Sequence, residues 1–340
     1  MKVKSVDVSE AVGMILGQDL TRIVPGEFKG VAFKKGHMIQ EQDIPVMRSM
    51  GKNNVYVLKL GPDEIHENDA AATLAGLVAG RGLKGSEAAE GKVELKAERS
   101  GLLKVDADRL TQINLLTGVA LATLHDGVLV KPDEVAAAVK IIPLALPAAT
   151  LDKIAAICSG LPLVSVVPLS TQKAGLIITG NEVYDGLIQD RFAPVISQKL
   201  SALGSTITET VFLPDDKLRI AAAIEQLAGK NDLVIVTGGM SVDPDDVTPA
   251  AIRSTGAEVT VYGAPVLPGA MFMTAYLQGK PVLGIPACGM YARVTVLDVV
   301  LPKLLAGERI DRKYIAALGH GGLCRKCADG CRYPNCSFAK

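Results

Sequence analysis

The sequence predicts an α/β protein whose C-terminal half is a doubly wound, mostly parallel sheet. Three observations lead there. From Lys173 onward, short uninterrupted apolar runs alternate with stretches whose apolar residues recur at helical spacing, as expected of strands buried on both faces and the helices that cover them. Two of those runs end in glycine turns, at Gly180 and at Gly238-Gly239. The chain is also long and apolar enough. Its 340 residues are 49 % apolar and 21 % charged, which suits two or three domains with real cores and excludes global disorder.

The elements follow in order. Residues 1–60 read as a small α+β unit: a short helix opened by Ser9 or Glu10 toward Leu16, a strand and turn over 31–36, a helix from Glu41 to Met50 stopped by Gly51, and a strand over 55–58. Residues 61–170 form a middle α/β region. Pro62 to Val78 reads as a helix. Lys92 to Ala97 and Leu102 to Val105, joined by Arg99-Ser100-Gly101, read as a hairpin, and Asp106 is placed to cap a helix through Leu116. Residues 171–310 hold the regular alternation. Strands are expected at 175–179, 205–213, 232–237, 258–262, 272–276 and 281–285. Helices are expected at 194–203, after Asp215 or Asp216, at 247–254 and at 291–305. Residues 311–340 are a cysteine-rich tail.

Composition narrows the function. Lys and Arg total 36 and so do Asp and Glu, whereas a surface that grips nucleic acid throughout is basic. With 7 Tyr, 6 Phe and no Trp, base-stacking platforms are not expected either. The apolar run Ala11–Leu16 is shorter than a secretion signal needs, and Ile141–Leu151 contains two prolines and is too short to span a bilayer. A cytoplasmic location without a membrane partner is the expectation.

In an open parallel sheet, ligands bind at the carboxyl ends of the strands. Two such ends are punctuated alike: Thr179-Gly180-Asn181-Glu182, and the stretch from Thr237-Gly238-Gly239 through Ser241 and Asp243 to Asp245-Asp246. Glycines let an anion approach backbone N–H groups, and Thr179, Thr237 and Ser241 offer hydroxyl donors. Glu182, Asp243, Asp245 and Asp246 add carboxylates beside them. Carboxylates and phosphate repel each other unless a cation lies between, so a Mg²⁺-bridged phosphate site is the economical reading. Spacing alone leaves open that the glycines are strand-to-loop turns and the acids helix caps.

These pieces resemble, in order, the molybdopterin-binding domain shared by molybdopterin adenylyltransferases and molybdopterin molybdenumtransferases. Thr179–Glu182 resembles that family's TG(D/N)E and Leu213–Asp216 its (V/L)PDD. Asp232–Ser241 resembles D-x-x-x-x-(S/T)-G-G-x-S, Asp246–Pro249 resembles DVTP, and Pro268-Gly269 a later PG element. The resemblance covers residues 173–307. It implies a three-layer α/β domain in which Thr179, Gly180, Thr237, Gly238, Gly239, Ser241, Asp243, Pro268, Gly269 and Pro286 line the pterin phosphate or its adenylate. It implies that Asp215 and Asp246 act near the phosphoryl group and Mg²⁺, and that Glu182 stands where molybdate meets the pterin. The implied partners are molybdopterin or its adenylate, molybdate, and a molybdoenzyme acceptor, with self-association common in the family.

The N-terminal half favours the molybdenumtransferases, because Val12–Leu20 resembles their G-x-x-L-x-x-D-(L/I) opening and Lys35–Ile39, Asp43-Ile44 and Ser49–Gly51 fit the region after it. Residues 24–33 lack the Ser and Asp of that family's next element. The PGNP loop is replaced by Pro286-Ala287-Cys288-Gly289, and the family's usual C-terminal β domain is not expected. The expected function is therefore molybdate insertion with Mg²⁺. The alternatives are a non-catalytic pterin carrier or sensor, favoured by these departures, and an adenylyltransferase.

Four cysteines crowd the tail as C-x₂-C-x₃-C-x₄-C: Cys324, Cys327, Cys331 and Cys336. Four thiolates so spaced can hold a structural zinc ion or an iron–sulfur cluster, reactive unmetallated thiols being the other reading. From Asp311 the tail carries six Lys/Arg against two Asp, which favours thiolate ligands. It has almost no apolar core, so a metal would have to fold it. His37, His66 and His125 have no partners at ligand spacing and read as packing or surface residues, while His320 is either a tail ligand or part of a hinge. Cys158 and Cys288 read as small core residues, Cys288 with the stronger functional claim because it stands beside the expected site.

Overall fold

The computed structural model describes residues 2–24 and 28–340. The chain forms two compact units. One comprises residues 1–99, 104–124 and 131–166, the other residues 100–103, 125–130 and 167–340. The 24–33 departure noted above falls partly on residues 25–27, outside the described residues.

In the first unit, the helix expected from Ser9 toward Leu16 is instead a 3-10 turn, Val8–Glu10, followed by a strand, Ile15–Leu16. The Asp7 carboxylate caps the turn by accepting the Ser9 N–H at 2.9 Å, and Ile15 and Leu16, both fully buried, pair with Leu58 and Val57. Burial of two apolar side chains in a sheet overrides helical spacing too short to nucleate. The helix Asp43–Ser49 and the strand Asn54–Lys59 lie where expected.

The stretch read as a helix from Pro62 starts as a strand, Glu64–His66, paired with Ala145–Pro147, and the helix is Glu67–Val78. Buried His66 sets that boundary, its Nδ1 accepting the Asn68 N–H at 3.2 Å and its Nε2 lying 2.8 Å from the Gly36 carbonyl. The expected hairpin does not form. Lys92–Ala97 pairs with Val135–Ile141 and Leu83–Gly85, while Leu102 and Gly101 pair with Leu129 and Val130. Val93, Leu95 and Ala97 point to one buried face, and the seven-residue partner extends that face over a longer register than a five-residue hairpin arm would.

The second unit carries the expected sheet. Its strands are β1 Lys173–Thr179, β2 Thr206–Leu213, β3 Leu233–Thr237, β4 Glu258–Tyr262, β5 Met273–Leu277 and β6 Lys280–Ile285. Their order is β2-β1-β3-β6-β5-β4, parallel through the first four and antiparallel through the last two. The helices are α1 Asn181–Tyr184, α2 Phe192–Ala202, α3 Lys217–Lys230, α4 Thr248–Ser254, α5 Val296–Leu305 and α6 Arg312–Ala317.

Period-two alternation sorts the core onto two faces. Leu176, Ile178 and Ile235 pack with Phe192, Ile196 and Leu200 of α2 and with Leu297 and Val300 of α5. Ile177, Val234 and Val236 pack with Ile220, Ile224 and Leu227 of α3 and with Ile252 of α4. The domain is thus three-layered, and every residue of β3 is buried, as its unbroken apolar sequence requires.

Asp216 caps α3, accepting the N–H groups of Leu218 and Arg219 at 2.8 and 3.0 Å. The helix expected from Tyr291 begins only at Val296. Thr295 and Asp298 form a capping box there, with the Thr295 N–H donating to Asp298 Oδ2 at 2.7 Å, so residues 291–294 stay outside the helix.

A candidate phosphate pocket at the strand tips

The sheet register decides which loops meet. Thr179 pairs with Leu213, Ile178 with Thr237, and Thr237 with Ile285. The carboxyl ends of β1, β2, β3 and β6 therefore lie side by side. The segments that leave them begin Gly180-Asn181-Glu182, Pro214-Asp215-Asp216, Gly238-Gly239-Met240 and Pro286-Ala287-Cys288. Residues far apart in sequence become neighbours because four parallel strands end on one line.

The two glycines after β3 allow close packing there. A Cβ on Gly238, whose φ is +86°, would stand 2.5 Å from the Thr179 carbonyl oxygen, and one on Gly239, whose φ is +53°, would stand 2.9 Å from Thr248 Oγ1. No L side chain fits either place without moving backbone or a buried hydroxyl. The Thr248 N–H donates to the Gly239 carbonyl at 3.1 Å, which ties the turn to the start of α4. Farther along, the Asp245 N–H donates to Asp243 Oδ1 at 3.2 Å, so the acidic stretch forms an Asx turn before α4.

Gly239, Ser241, Asp246, Pro268, Gly269 and Pro286 all line one cavity of about 410 Å³, together with Met240, Leu267, Ala270, Met271, Ala287 and Cys288. Six of the expected site residues are thus brought together. Thr179 and Thr237 are not among them. Both are buried, the Thr179 hydroxyl donating to the Thr237 carbonyl at 3.1 Å and the Thr237 hydroxyl to the Ile177 carbonyl at 3.3 Å. They pin β1 to β3 and offer no free donor to a ligand. Gly180, Glu182, Asp215, Gly238 and Asp243 also lie off the cavity wall.

Asp215 links the first two loops. Its N–H donates to Asn181 Oδ1 at 3.1 Å, and its Oδ2 accepts the Asn181 N–H at 3.2 Å. Its other oxygen, Oδ1, is buried without a hydrogen-bond partner, and the nearby Thr179 hydroxyl donates to the Thr237 carbonyl. Burial holds the Asp215 carboxyl above its usual value, the Asn181 N–H and the nearby Thr179 hydroxyl oppose this, and the negative charges of Glu182 and Asp246 add to it. Asp215 thus stands within reach of two further negative charges at the strand tips. Asn181 was within the recognised motif, but nothing in the sequence marks it as the clamp on Asp215. Met271, Leu267 and Ala287 could be found only from the cavity. Burial also pushes the Cys288 thiol up, so Cys288 enters the cavity wall as a neutral thiol.

Among the described residues, no three His, Cys, Asp or Glu side chains are drawn together as a ready metal-ligand set. The carboxylates around Asp246 and the four tail thiols are not closed around an ion. None of the described helices is long and apolar enough to cross a membrane. In the first unit His37 Nε2 lies within hydrogen-bond distance of Asp43 Oδ2, at 2.6 Å, and Cys158 and Cys288 are half-buried free thiols.

Residues 175–306 match a family described as a probable molybdopterin binding domain, and residues 5–59 match one described as a domain of unknown function. A CinA-like protein of Citrifermentans bemidjiense is 35 % identical over 88 residues, 26 % of this chain and 21 % of that protein. Another, from Desulfosudis oleivorans, is 39 % identical over 79 residues, 23 % of this chain and 19 % of that protein. The matches span about a fifth of the length of these relatives. Among solved structures, the molybdopterin biosynthesis enzyme MoaB of Thermus thermophilus is similar at 19 % identity and TM-score 0.35, over 41 % of this chain and 98 % of that one. The molybdopterin biosynthesis MoeA protein of Pyrococcus horikoshii is similar at 16 % identity and TM-score 0.35, over 90 % of this chain and 75 % of that one.

Proposed function

Taking residues 175–306 as a molybdopterin-binding domain of the molybdenum-cofactor biosynthesis type, we propose that the strand-tip pocket holds molybdopterin, or its adenylate, by the phosphate and serves molybdate insertion. One observation carries this reading. The register of four parallel strands brings Gly239, Ser241 and Asp246 to one cavity with Pro268-Gly269 and Pro286. Backbone N–H groups at a glycine turn, with the Ser241 hydroxyl beside them, suit a phosphate oxyanion.

Magnesium fits the residues present. Asp215 Oδ1 is buried without a donor, and Glu182 and Asp246 crowd the same carboxyl with like charge. A divalent cation removes both penalties. Asp246, on the cavity wall, with Asp215 and Glu182 from the neighbouring loops, would hold the ion. Bound there, magnesium would neutralise charge between carboxylates and phosphate and so assist phosphoryl-type exchange. The chain's own contribution is positioning: the Thr179 and Thr237 hydroxyls and the Asn181–Asp215 clamp fix the loops before a ligand arrives.

A second reading, a carrier that binds pterin without turnover, is favoured by the loop after β6. There Ala287 and the neutral Cys288 replace a polar side chain on the cavity wall. The protein is tested in two incubations with Mg²⁺, one with molybdopterin and ATP, the other with adenylated molybdopterin and molybdate. AMP release that requires molybdate supports insertion. Adenylated pterin formed from ATP moves the function to adenylation. Tight binding with neither product selects the carrier, and no pterin binding removes the whole reading. Asp246→Asn should lower any turnover by about two orders of magnitude or more, the scale of losing one preorganised electrostatic group, with an unchanged circular dichroism spectrum.

A further inference from the structure

Residues 318–340 contain no helix, and their one strand contact is the bridge between Leu267 and Leu323. The segment is pinned at both ends. At its start, the Leu267 N–H donates to the Gly322 carbonyl at 2.8 Å and the Cys324 N–H to the Leu267 carbonyl at 2.9 Å. At its end, Phe338 and Ala339 are buried in the second unit's core, and the Ala339 N–H donates to the Gly321 carbonyl at 3.0 Å. Between the pins, Lys326 to Asp329 and Cys331-Arg332 are exposed.

All four tail cysteines, Cys324, Cys327, Cys331 and Cys336, line one cavity of about 620 Å³. Arg325, Lys326, Arg332 and Arg293 line it too. Four thiolates around a divalent ion carry two net negative charges, which a cationic wall offsets. Pro268 and Cys288 belong to this cavity and also to the strand-tip pocket. The tail is thus joined by backbone pairing to Leu267, the residue before the Pro268-Gly269 wall of that pocket.

We propose that Cys324, Cys327, Cys331 and Cys336 close around a thiolate-ligated metal centre, a single zinc ion or an iron–sulfur cluster, seated against the Pro268 edge of the strand-tip pocket, and that its occupancy tightens ligand binding in that pocket. The thiols share the cavity without yet converging, so the metal draws in the exposed stretch around 326–332, and little packing opposes that movement. Four thiolates complete a tetrahedral zinc set, which leaves Cys288 as cavity wall. The metal site stands independently of the pterin reading; the coupling rests on it.

The full-length chain, purified anaerobically, is tested by elemental analysis, visible absorption and cobalt substitution. About one zinc per chain, with thiolate-to-cobalt charge-transfer absorption after exchange, supports a zinc site. Iron with acid-labile sulfide and visible absorption supports a cluster. The double variant Cys327→Ser/Cys331→Ser, at two exposed positions, should lose the metal at least tenfold, whereas Cys288→Ser should keep it. The metal-loaded tail should resist cleavage at Lys326, and the chelated tail should not. No bound zinc or iron, together with no cobalt charge-transfer band, overturns the site. Molybdopterin affinity, measured before and after chelation in Mg²⁺-replete buffer, should fall several-fold on metal loss. Unchanged affinity overturns the coupling, and failure to bind molybdopterin in either state overturns the pterin reading while leaving the metal result intact.

Discussion

The strand-tip pocket and the cysteine tail lie side by side in one unit and are built in opposite ways. The pocket is fixed before any ligand arrives. Its loops leave adjacent strand ends, two buried hydroxyls tie β1 to β3, and two glycines sit where no other residue fits. The tail has almost no regular structure, and most of the stretch between its anchors is exposed. A site made from sheet backbone can hold a ligand whose binding orders nothing further. A site made from side chains on an irregular segment gets its order from the ligand itself.

Glycine substitution breaks this contrast most directly. Gly238→Ala forces a Cβ to within 2.5 Å of a backbone oxygen at φ +86°. It should cost roughly 2–4 kcal/mol, from strain and overpacking together, and abolish pterin-phosphate binding. Gly330→Ala in the tail has an equally unusual φ of +105° but nothing within 4 Å of the added Cβ. It should cost about 1–2 kcal/mol, from the backbone conformation alone. Urea unfolding of the two variants measures the difference. Equal losses would show that the pocket turn yields as readily as the tail.

The same contrast explains what could be read from the sequence. β1 and β3 were legible because strands buried on both faces must be apolar without a break, and Asp216 because an N-cap acts on the next few residues. The glycine-rich motifs were legible for the reason Gly238 cannot be replaced: close approach at positive φ leaves one residue type. What failed was whatever depends on distant partners. The turn at Arg99-Ser100-Gly101 looks like a hairpin locally, but Lys92–Ala97 takes the distant strand Val135–Ile141 as its neighbour instead. Residues 291–305 read as one helix, yet the Thr295–Asp298 box starts it only at Val296. Thr179 and Thr237 had the right chemistry to touch a phosphate, and only the structure shows that their hydroxyls face inward. The four tail cysteines declared their spacing in the sequence, but not that they share a cavity with Cys288.

A smaller effect of opposite sign sharpens the comparison at Asp215. In the folded protein its carboxyl is held above the ordinary value of 3.8, chiefly by burial and then by Glu182 and Asp246, against the Asn181 N–H and the Thr179 hydroxyl. The folded state therefore holds this proton more tightly than the unfolded chain does. As pH rises through the raised folded value, ionising the group costs stability; below about pH 3.8 both states are protonated and the cost is absent. Asp215→Asn keeps an oxygen for the Asn181 N–H and removes the charge. In chelator-treated protein it should raise the unfolding temperature at pH 7, and the gain should shrink toward zero as the pH falls to that ordinary value. Added Mg²⁺ should stabilise the wild type at pH 7 and the variant less. A gain independent of pH would mean that the folded protein does not hold the Asp215 proton more tightly than the unfolded chain.

The smallest effect falls where the tail meets the sheet domain. The Tyr333 hydroxyl donates to the Asp298 backbone carbonyl at 3.1 Å, and its ring meets Phe338 edge-on at 6.3 Å. Burial holds the phenol protonated into the alkaline range, with the Asp298 charge adding to it, so the bond keeps its donor at neutral pH. Tyr333→Phe keeps the ring and removes one hydrogen bond, a loss of about 0.5–1.5 kcal/mol. Because the tail is anchored at few points, that loss should appear as faster proteolysis at Lys326, with little change in the urea midpoint of the domain. If metal binding at the four cysteines orders the tail, loading the centre should hide the effect of Tyr333→Phe, and chelation should restore it. A global midpoint shift as large as the local one would place the tail inside the cooperative core, and the division between a prebuilt pocket and a ligand-ordered tail would not survive.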